Sequence, residues 1–150
     1  MFGPDDAFLT TIVSLLRRFP IYPMFGSGVT RLQPAYVEDV AEAIVRALQQ
    51  TDPSTVTFEC GGPRLYTYEE LLRLIARGAG LKPILIPVPF VAWQALAWTA
   101  EMMPSPLITR NQVELMQIDT VTAAEMPGFS DLGISPHSVE ETLQVILRLH

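Results

Sequence analysis

Three times along the chain a small hydroxylated residue stands three positions before a Glu or Gln at the head of an apolar run: Thr67 before Glu70, Thr109 before Gln112 and Ser138 before Glu141. In this spacing the hydroxyl accepts from an orphan backbone N–H of the first helical turn while the longer side chain reaches back to the cap N–H, so each pair marks a helix start. Leu71, Leu72 and Ile75 then recur on one face of a segment stopped by Gly78 and Gly80; Val113 and Met116 follow the second start, and Val139, Leu143, Ile146 and Leu147 the third. Acidic pairs lead two more helices: Asp5-Asp6 before Phe8, Leu9, Ile12, Leu15 and Leu16, and Glu38-Asp39 before Ile44, Val45 and Leu48. A further helix from Phe90 to Met103 has only Gln94 and Glu101 as a polar stripe, so it needs cover on most sides. That cover is either its own chain or a partner or membrane interface, and in the second case Phe90, Trp93 and Trp98 are the expected interaction face.

Short runs between Gly and Pro punctuation have strand character: Ile21 to Phe25, Leu32 to Val37, Val56 to Cys60 and Ile84 to Val88. Val56–Cys60, the helix from Thr67 and Ile84–Val88 read as one strand-helix-strand unit with parallel strands. The expected class is α/β, a small mixed or parallel sheet with predominant helices. A length of 150 residues suggests one folding unit. Thirteen prolines predict ordered connections, notably at Pro104/Pro106 and Pro127/Pro136.

Chemistry is sparse. A Ser or Cys nucleophile needs a base, and the two histidines, His137 beside Pro136 and the terminal His150, have no evident partner. One cysteine, Cys60, and two histidines make no closed zinc site, so neither catalytic nor metal-ligating residues are expected. The adjacent acids, Glu69-Glu70 and Glu140-Glu141 included, fall in first helical turns, where they complement the macrodipole. Gly26-Ser27-Gly28 lacks the third glycine of a dinucleotide cradle. A net charge of −6, with basic residues scattered apart from Arg17-Arg18 and Arg73/Arg77, argues against nucleic acid. The most apolar stretch, Ile84 to Met103, is broken by Pro87, Pro89, Gln94 and Glu101, so a membrane span is not expected. The cysteine count and the lack of a signal-peptide pattern make the cytoplasm the expected compartment. Only 17% of residues are charged, against about 25% in typical domains, which fits either a well-packed domain or a surface part of which meets another domain, subunit or membrane.

The order of segments carries a resemblance. Phe2-Gly3-Pro4-Asp5-Asp6, then Gly26-Ser27-Gly28, then Gln33-Pro34-Ala35-Tyr36-Val37-Glu38-Asp39-Val40-Ala41, then Phe58-Glu59-Cys60-Gly61-Gly62-Pro63 with Tyr66-Thr67-Tyr68-Glu69-Glu70-Leu71-Leu72 resemble consecutive parts of extended short-chain dehydrogenases/reductases of the NAD-dependent epimerase/dehydratase type. Pro87-Val88-Pro89-Phe90, the Trp-rich helix and the stretch from Leu107 to Leu115 are most similar to the branch holding the nucleotide-binding accessory subunit of respiratory complex I and its bacterial relatives.

The resemblance implies that these 150 residues are a C-terminal, substrate-side domain of a Rossmann-type parent whose N-terminal dinucleotide-binding domain is absent from this chain. NAD(P) and the Tyr-x-x-x-Lys pair would belong to that parent, with no cofactor expected for this segment alone. Lys82 is the only lysine and Gly78 stands four positions before it, so the pair does not lie here. The resemblance places Gly3 and Pro4 near the nicotinamide end of the intact protein and Arg31, Gln33 and Tyr36 along the substrate cleft; a surface salt bridge is an equal alternative for Arg31. Nucleotide-sugar members carry an Arg where this chain has Leu32, which puts such a substrate in doubt. Expected partners are the missing domain and complex I subunits or a membrane surface, with a peripheral place at the inner membrane. The competing reading is a non-catalytic subunit or assembly protein that keeps the fold.

Overall fold

The computed structural model describes residues 1–3, 7–50, 56–102 and 109–149; Pro4, Asp5-Asp6, Pro104/Pro106 and His150 lie outside them. The chain divides into two compact units, Met1–Ile12 with Gln33–Leu65 and Thr120–His150, and Val13–Leu32 with Tyr66–Asp119. The division falls within the first helix, α1 (Ala7–Arg18).

In the second unit, β1 (Ile21–Phe25) pairs in parallel with β4 (Ile84–Val88), Ile21 opposite Ile84 and Phe25 opposite Val88. The expected parallel partner of Ile84–Val88 was Val56–Cys60, and this is corrected: residues 56–60 carry no strand and belong to the first unit. There Phe58 and Cys60 pack on the core while Glu59 N–H donates to the Pro127 carbonyl at 2.9 Å. Alternation alone cannot choose between a ladder and a single extended strap. The strand expected over Leu32 to Val37 is likewise shortened to β2 (Arg31–Leu32), antiparallel to β3 (Tyr66–Thr67). Pro34 has no N–H to extend the ladder, and α2 (Val37–Leu48) starts three residues later.

The helix starts fall where the cap pattern sets them. Before α3 (Tyr68–Gly78), Glu70 N–H donates to Thr67 Oγ1 at 3.2 Å and Thr67 N–H to Glu70 Oε2 at 2.8 Å. The same reciprocal bonds open α5 (Arg110–Leu115) at Thr109/Gln112 and α6 (Val139–Leu149) at Ser138/Glu141. Helix α3 buries Leu71, Leu72, Ile75 and Ala76 and closes on Gly80, whose φ of +71° lets Leu81 N–H reach the Ala76 carbonyl at 2.8 Å. That is the αL stop glycine supports most cheaply. Tyr68, buried beside Tyr22 with the hydroxyls 3.3 Å apart, completes this packing. Helix α4 (Phe90–Ala100) packs on α5, and Glu101 pairs with Arg110 at 2.8 Å.

The first unit is built around Ala35, Ala43, Phe129, Leu132 and Ile134. Arg46 of α2 donates to the Leu132 and Gly133 carbonyls at 2.8 and 2.6 Å and pairs with Glu42, tying α2 to the 3-10 turn Ser130–Leu132. The backbone runs tightest at Gly62, where a Cβ would lie 2.0 Å from the Pro34 carbonyl oxygen. Gly62→Ala is therefore expected to destabilise the protein by about 2 kcal/mol, read as a lowered urea midpoint; an unchanged midpoint would mean that the Pro34 strap moves freely.

Candidate functional site

In the first unit the N-terminal strand segment, the entry of α2 and the loop before α6 converge on one cluster of ionisable side chains. Phe2 N–H donates to the Ala35 carbonyl at 2.9 Å and Val37 N–H to the Phe2 carbonyl at 2.8 Å, which seats the buried Phe2 ring 5.5 Å from that of Tyr36. Gly3 is buried here, packed so closely that a Cβ would come within 2.5 Å of Val37 Cγ1. One turn into α2, Asp39 is only 3% exposed. Its carboxylate accepts the His137 backbone N–H at 2.7 Å and faces His137 Nδ1 at 2.6 Å. The Tyr36 ring meets the His137 ring edge-on at 5.7 Å.

Two sequence expectations change. His137 does have a partner, and Asp39 is more than a charge at a helix end. The two residues stand 98 positions apart. The Val37-Glu38-Asp39-Val40-Ala41 stretch was the one available signal for this site, because its resemblance singled it out before any chemistry did.

With Nδ1–H donated to Asp39, Nε2 of a neutral His137 is left as the acceptor. The side chain is more than half exposed, so that nitrogen can take or give a proton to a ligand. The bond from Asp39, then its charge, raises the imidazole pKa above its ordinary value against the opposing effect of desolvation, with smaller contributions from Glu141 and Glu38. Burial, then the Glu38 and Asp39 carboxylates, raises the Tyr36 phenol, which stays neutral. The cluster is thus a carboxylate-oriented imidazole beside a phenol, suited to proton exchange or hydrogen bonding.

Beside it, an open groove of about 830 Å3 runs from Gly61 and Thr122 past Phe129 to Pro136, the residue before His137. Its charged residues are Glu59, Glu125 and Asp131, all acidic. Such a lining disfavours a phosphate-bearing ligand.

The other singled-out residues have settled places. Gln33 is a clamp in the first unit: its Nε2 donates to the Gly62 carbonyl at 2.9 Å, and its Oε1 accepts the Thr122 N–H and hydroxyl at 3.0 Å each. Arg31, in the second unit, takes the salt-bridge alternative; its N–H and Nε donate to the two Asp119 oxygens at 2.8 Å each. On α4, Trp93 turns inward, donating its indole N–H to the Met24 carbonyl at 3.0 Å with its ring 4.5 Å from Phe25. Phe90 is partly buried over Gly26, where a Cβ would lie 2.5 Å from its ring. Of the expected interaction face, Trp98 is the member left mostly exposed, alongside Val91, Leu96 and Met102. No helix among the described residues is long and apolar enough to cross a membrane.

No family model matches the chain. It is 32% identical over 152 residues to the NADH dehydrogenase (ubiquinone) 1 alpha subcomplex subunit 9, mitochondrial, of Rattus norvegicus, covering 100% of this chain and 40% of that protein. To the protein of the same description from Arabidopsis thaliana it is 31% identical over 150 residues, 93% of this chain and 37% of that one. The chain thus spans about two fifths of the length of these relatives. Among solved structures it is similar to an NADPH-dependent quinone oxidoreductase of Escherichia coli complexed with NADPH (TM-score 0.69, 12% identity, 93% of this chain and 49% of that one). It is similar also to a UDP-glucose 4-epimerase of Thermus thermophilus complexed with NAD (TM-score 0.64, 17% identity, 99% and 43%). At these identities the likeness establishes the Rossmann-type fold.

Because the folded-state pKa of His137 is raised, the stabilisation from its pair with Asp39 is complete below the ordinary imidazole value of about 6.5 and is lost as pH rises through the raised one. The stability gap between the native chain and His137→Gln, from denaturant titrations, should be largest near pH 5 to 6 and shrink toward about pH 9; a gap that widens with pH contradicts the pairing. Asp39→Ala removes the acceptor of both His137 donors and should cost about 2 kcal/mol at neutral pH.

Proposed function

This chain is homologous to the NADH dehydrogenase (ubiquinone) 1 alpha subcomplex subunit 9 over about two fifths of that protein, and we propose that it is the substrate-side segment of an extended short-chain dehydrogenase/reductase-type protein. It works as an accessory component of an NADH-ubiquinone oxidoreductase assembly, not as a self-sufficient enzyme. The observation that carries this reading is the alignment itself: essentially the whole chain matches, yet most of each relative lies outside the match.

On this reading a dinucleotide-binding domain elsewhere in the intact protein supplies NAD(P) and the Tyr-x-x-x-Lys pair. Gly3 borders its nicotinamide end. The present chain supplies the substrate-side wall, with Tyr36 and His137 as the proton-exchanging groups and the acidic groove between Glu59 and Pro136 as the ligand-facing surface. The acidic lining of that groove favours a neutral or cationic ligand over a nucleotide-sugar. The assembly is membrane-bound and this segment sits peripherally at the inner membrane.

The non-catalytic alternative, a subunit or assembly protein that keeps the fold for docking, is favoured by one feature. Helix α4 turns Val91, Leu96 and Trp98 to solvent, with exposures of 76%, 52% and 60%, the kind of apolar surface that marks a protein contact.

The division of labour is tested by calorimetric titration of the 150-residue chain with NADH and with NADPH. The expected result is no stoichiometric binding of either. Clear one-to-one binding would overturn the proposal, because the chain would then hold a dinucleotide without the other domain.

A further inference from the structure

Basic residues that look scattered in the sequence are sorted by the fold. The first unit carries three basic and eleven acidic residues and the second seven basic and five acidic, so the net −6 consists of −8 and +2. No acidic residue occurs in 13–30 or 71–100, the stretches that supply the end of α1, β1, most of α3, β4 and α4. Five of the ten basic residues are neutralised: Arg31 by Asp119, Arg46 by Glu42, Arg64 by Glu140, Arg73 by Glu69 and Arg110 by Glu101. Among the described side chains, Arg17, Arg18, Arg77 and Lys82 are in no ion pair.

Arg17, Arg18 and Lys82 stand just before the paired starts of β1 and β4. Arg17 and Arg18 close α1, Arg77 is in the last turn of α3, and Lys82 stands two residues before β4. Ile84 N–H donates to the Pro20 carbonyl at 2.8 Å, joining the residues just past Arg18 to those just past Lys82. The surface they border is apolar. In the parallel register Ile21 lies opposite Ile84 and Pro23 opposite Ile86 on one sheet face, while Tyr22 and Met24 are buried on the other. Ile84 is 62% exposed and Phe19, Ile21 and Ile86 between 42% and 49%. The Arg18 guanidinium lies 5.9 Å from the centre of the Phe19 ring.

Parallel strands are normally covered on both faces, so this face is built for an occupant. We propose that the edge formed by Arg17, Arg18, Phe19, Lys82 and the exposed Ile21–Ile84–Ile86 face docks on an anionic lipid surface. Charge sets the sign of the occupant, since Arg17, Arg18 and Lys82 are unneutralised and the stretches that carry them hold no carboxylate, so they attract anions in a chain that is otherwise acidic. Chemistry selects lipid over an acidic protein. In 19–23 and 83–86, apart from the buried Tyr22, every side chain is Phe, Pro, Ile or Leu, whereas a protein interface of standard size carries on the order of ten hydrogen bonds. A bilayer interface asks for cations at headgroup depth and aromatic or aliphatic side chains beneath them, and the Arg and Lys stems can extend to reach it. The inference deepens the peripheral placement proposed above and rests on it.

Co-sedimentation of the 150-residue chain with vesicles tests this. Binding is expected to phosphatidylcholine vesicles containing phosphatidylglycerol, to weaken with added salt, and to be much weaker to phosphatidylcholine alone. Each cation near an anionic surface is worth about a fivefold change in partitioning, so the Arg17→Gln/Arg18→Gln/Lys82→Gln variant should bind at least about tenfold more weakly. Ile84→Ser should also bind less, while Arg110→Gln, whose partner is Glu101, should bind as the native chain does. Unchanged melting temperatures show that each variant is folded. Absence of binding to the anionic vesicles, equal binding to both vesicle types, or equal binding by the triple variant overturns the proposal. So does a triple variant that changes self-association in sedimentation velocity but not vesicle binding, which would make a second copy the occupant. These failures leave the accessory-segment reading standing, since that one falls on dinucleotide titration.

Discussion

A carboxylate taken almost wholly out of water must be given donors, and Asp39 is the place where the first unit meets that demand. Its position in the first turn of α2 supplies the favourable end of the helix dipole, but the two hydrogen bonds come from His137, on the far side of the sequence. Satisfying Asp39 therefore fixes where the chain arrives before α6. Ser138, the next residue, is then in place to cap α6 with Glu141, and the His137 ring is held against Tyr36, which packs in turn on Phe2. One buried charge thus aligns a helix start, a second helix entry and the N-terminal segment, and it leaves the imidazole oriented with one nitrogen toward solvent.

The second unit relies on a different constraint. Two parallel strands cannot stand alone, and here α3 supplies the buried Leu72 and Ile75 while the Tyr22–Tyr68 hydroxyl contact joins sheet and helix. The opposite sheet face is left apolar and open. The same layout that stabilises the unit thus provides its most distinctive surface, and the helix ends that frame it bring their C-terminal cations with them. Arg17, Arg18 and Arg77 complement local helix dipoles, and Arg17 and Arg18 lead directly into the strand that carries the exposed apolar face.

The two surfaces divide the chemistry of the chain. Acidic groups and the imidazole gather in the first unit, next to a groove without a basic residue; unpaired cations gather in the second.

What the sequence determined by itself is whatever depends on neighbours a few residues apart. The capping boxes at Thr67, Thr109 and Ser138 close within three residues, and the apolar face of α3 repeats within a turn, so these elements were legible, as were the strands at Ile21–Phe25 and Ile84–Val88. The ordered motifs likewise carried the Rossmann-type resemblance. Tertiary structure alone decided which extended runs pair, because Val56–Cys60 and Ile21–Phe25 have equal local claims on Ile84–Val88 and only the packed surroundings separate them. It decided also that Trp93 turns inward while Trp98 does not, since the indole N–H needed the Met24 carbonyl. Asp39 with His137, Arg31 with Asp119 and Gln33 with Thr122 meet across 88 to 98 positions, and nothing in the local chain encodes such distances. The sorting of charge between the units follows from those same long-range contacts, because a cation's neighbours in space, not in sequence, determine whether it is neutralised.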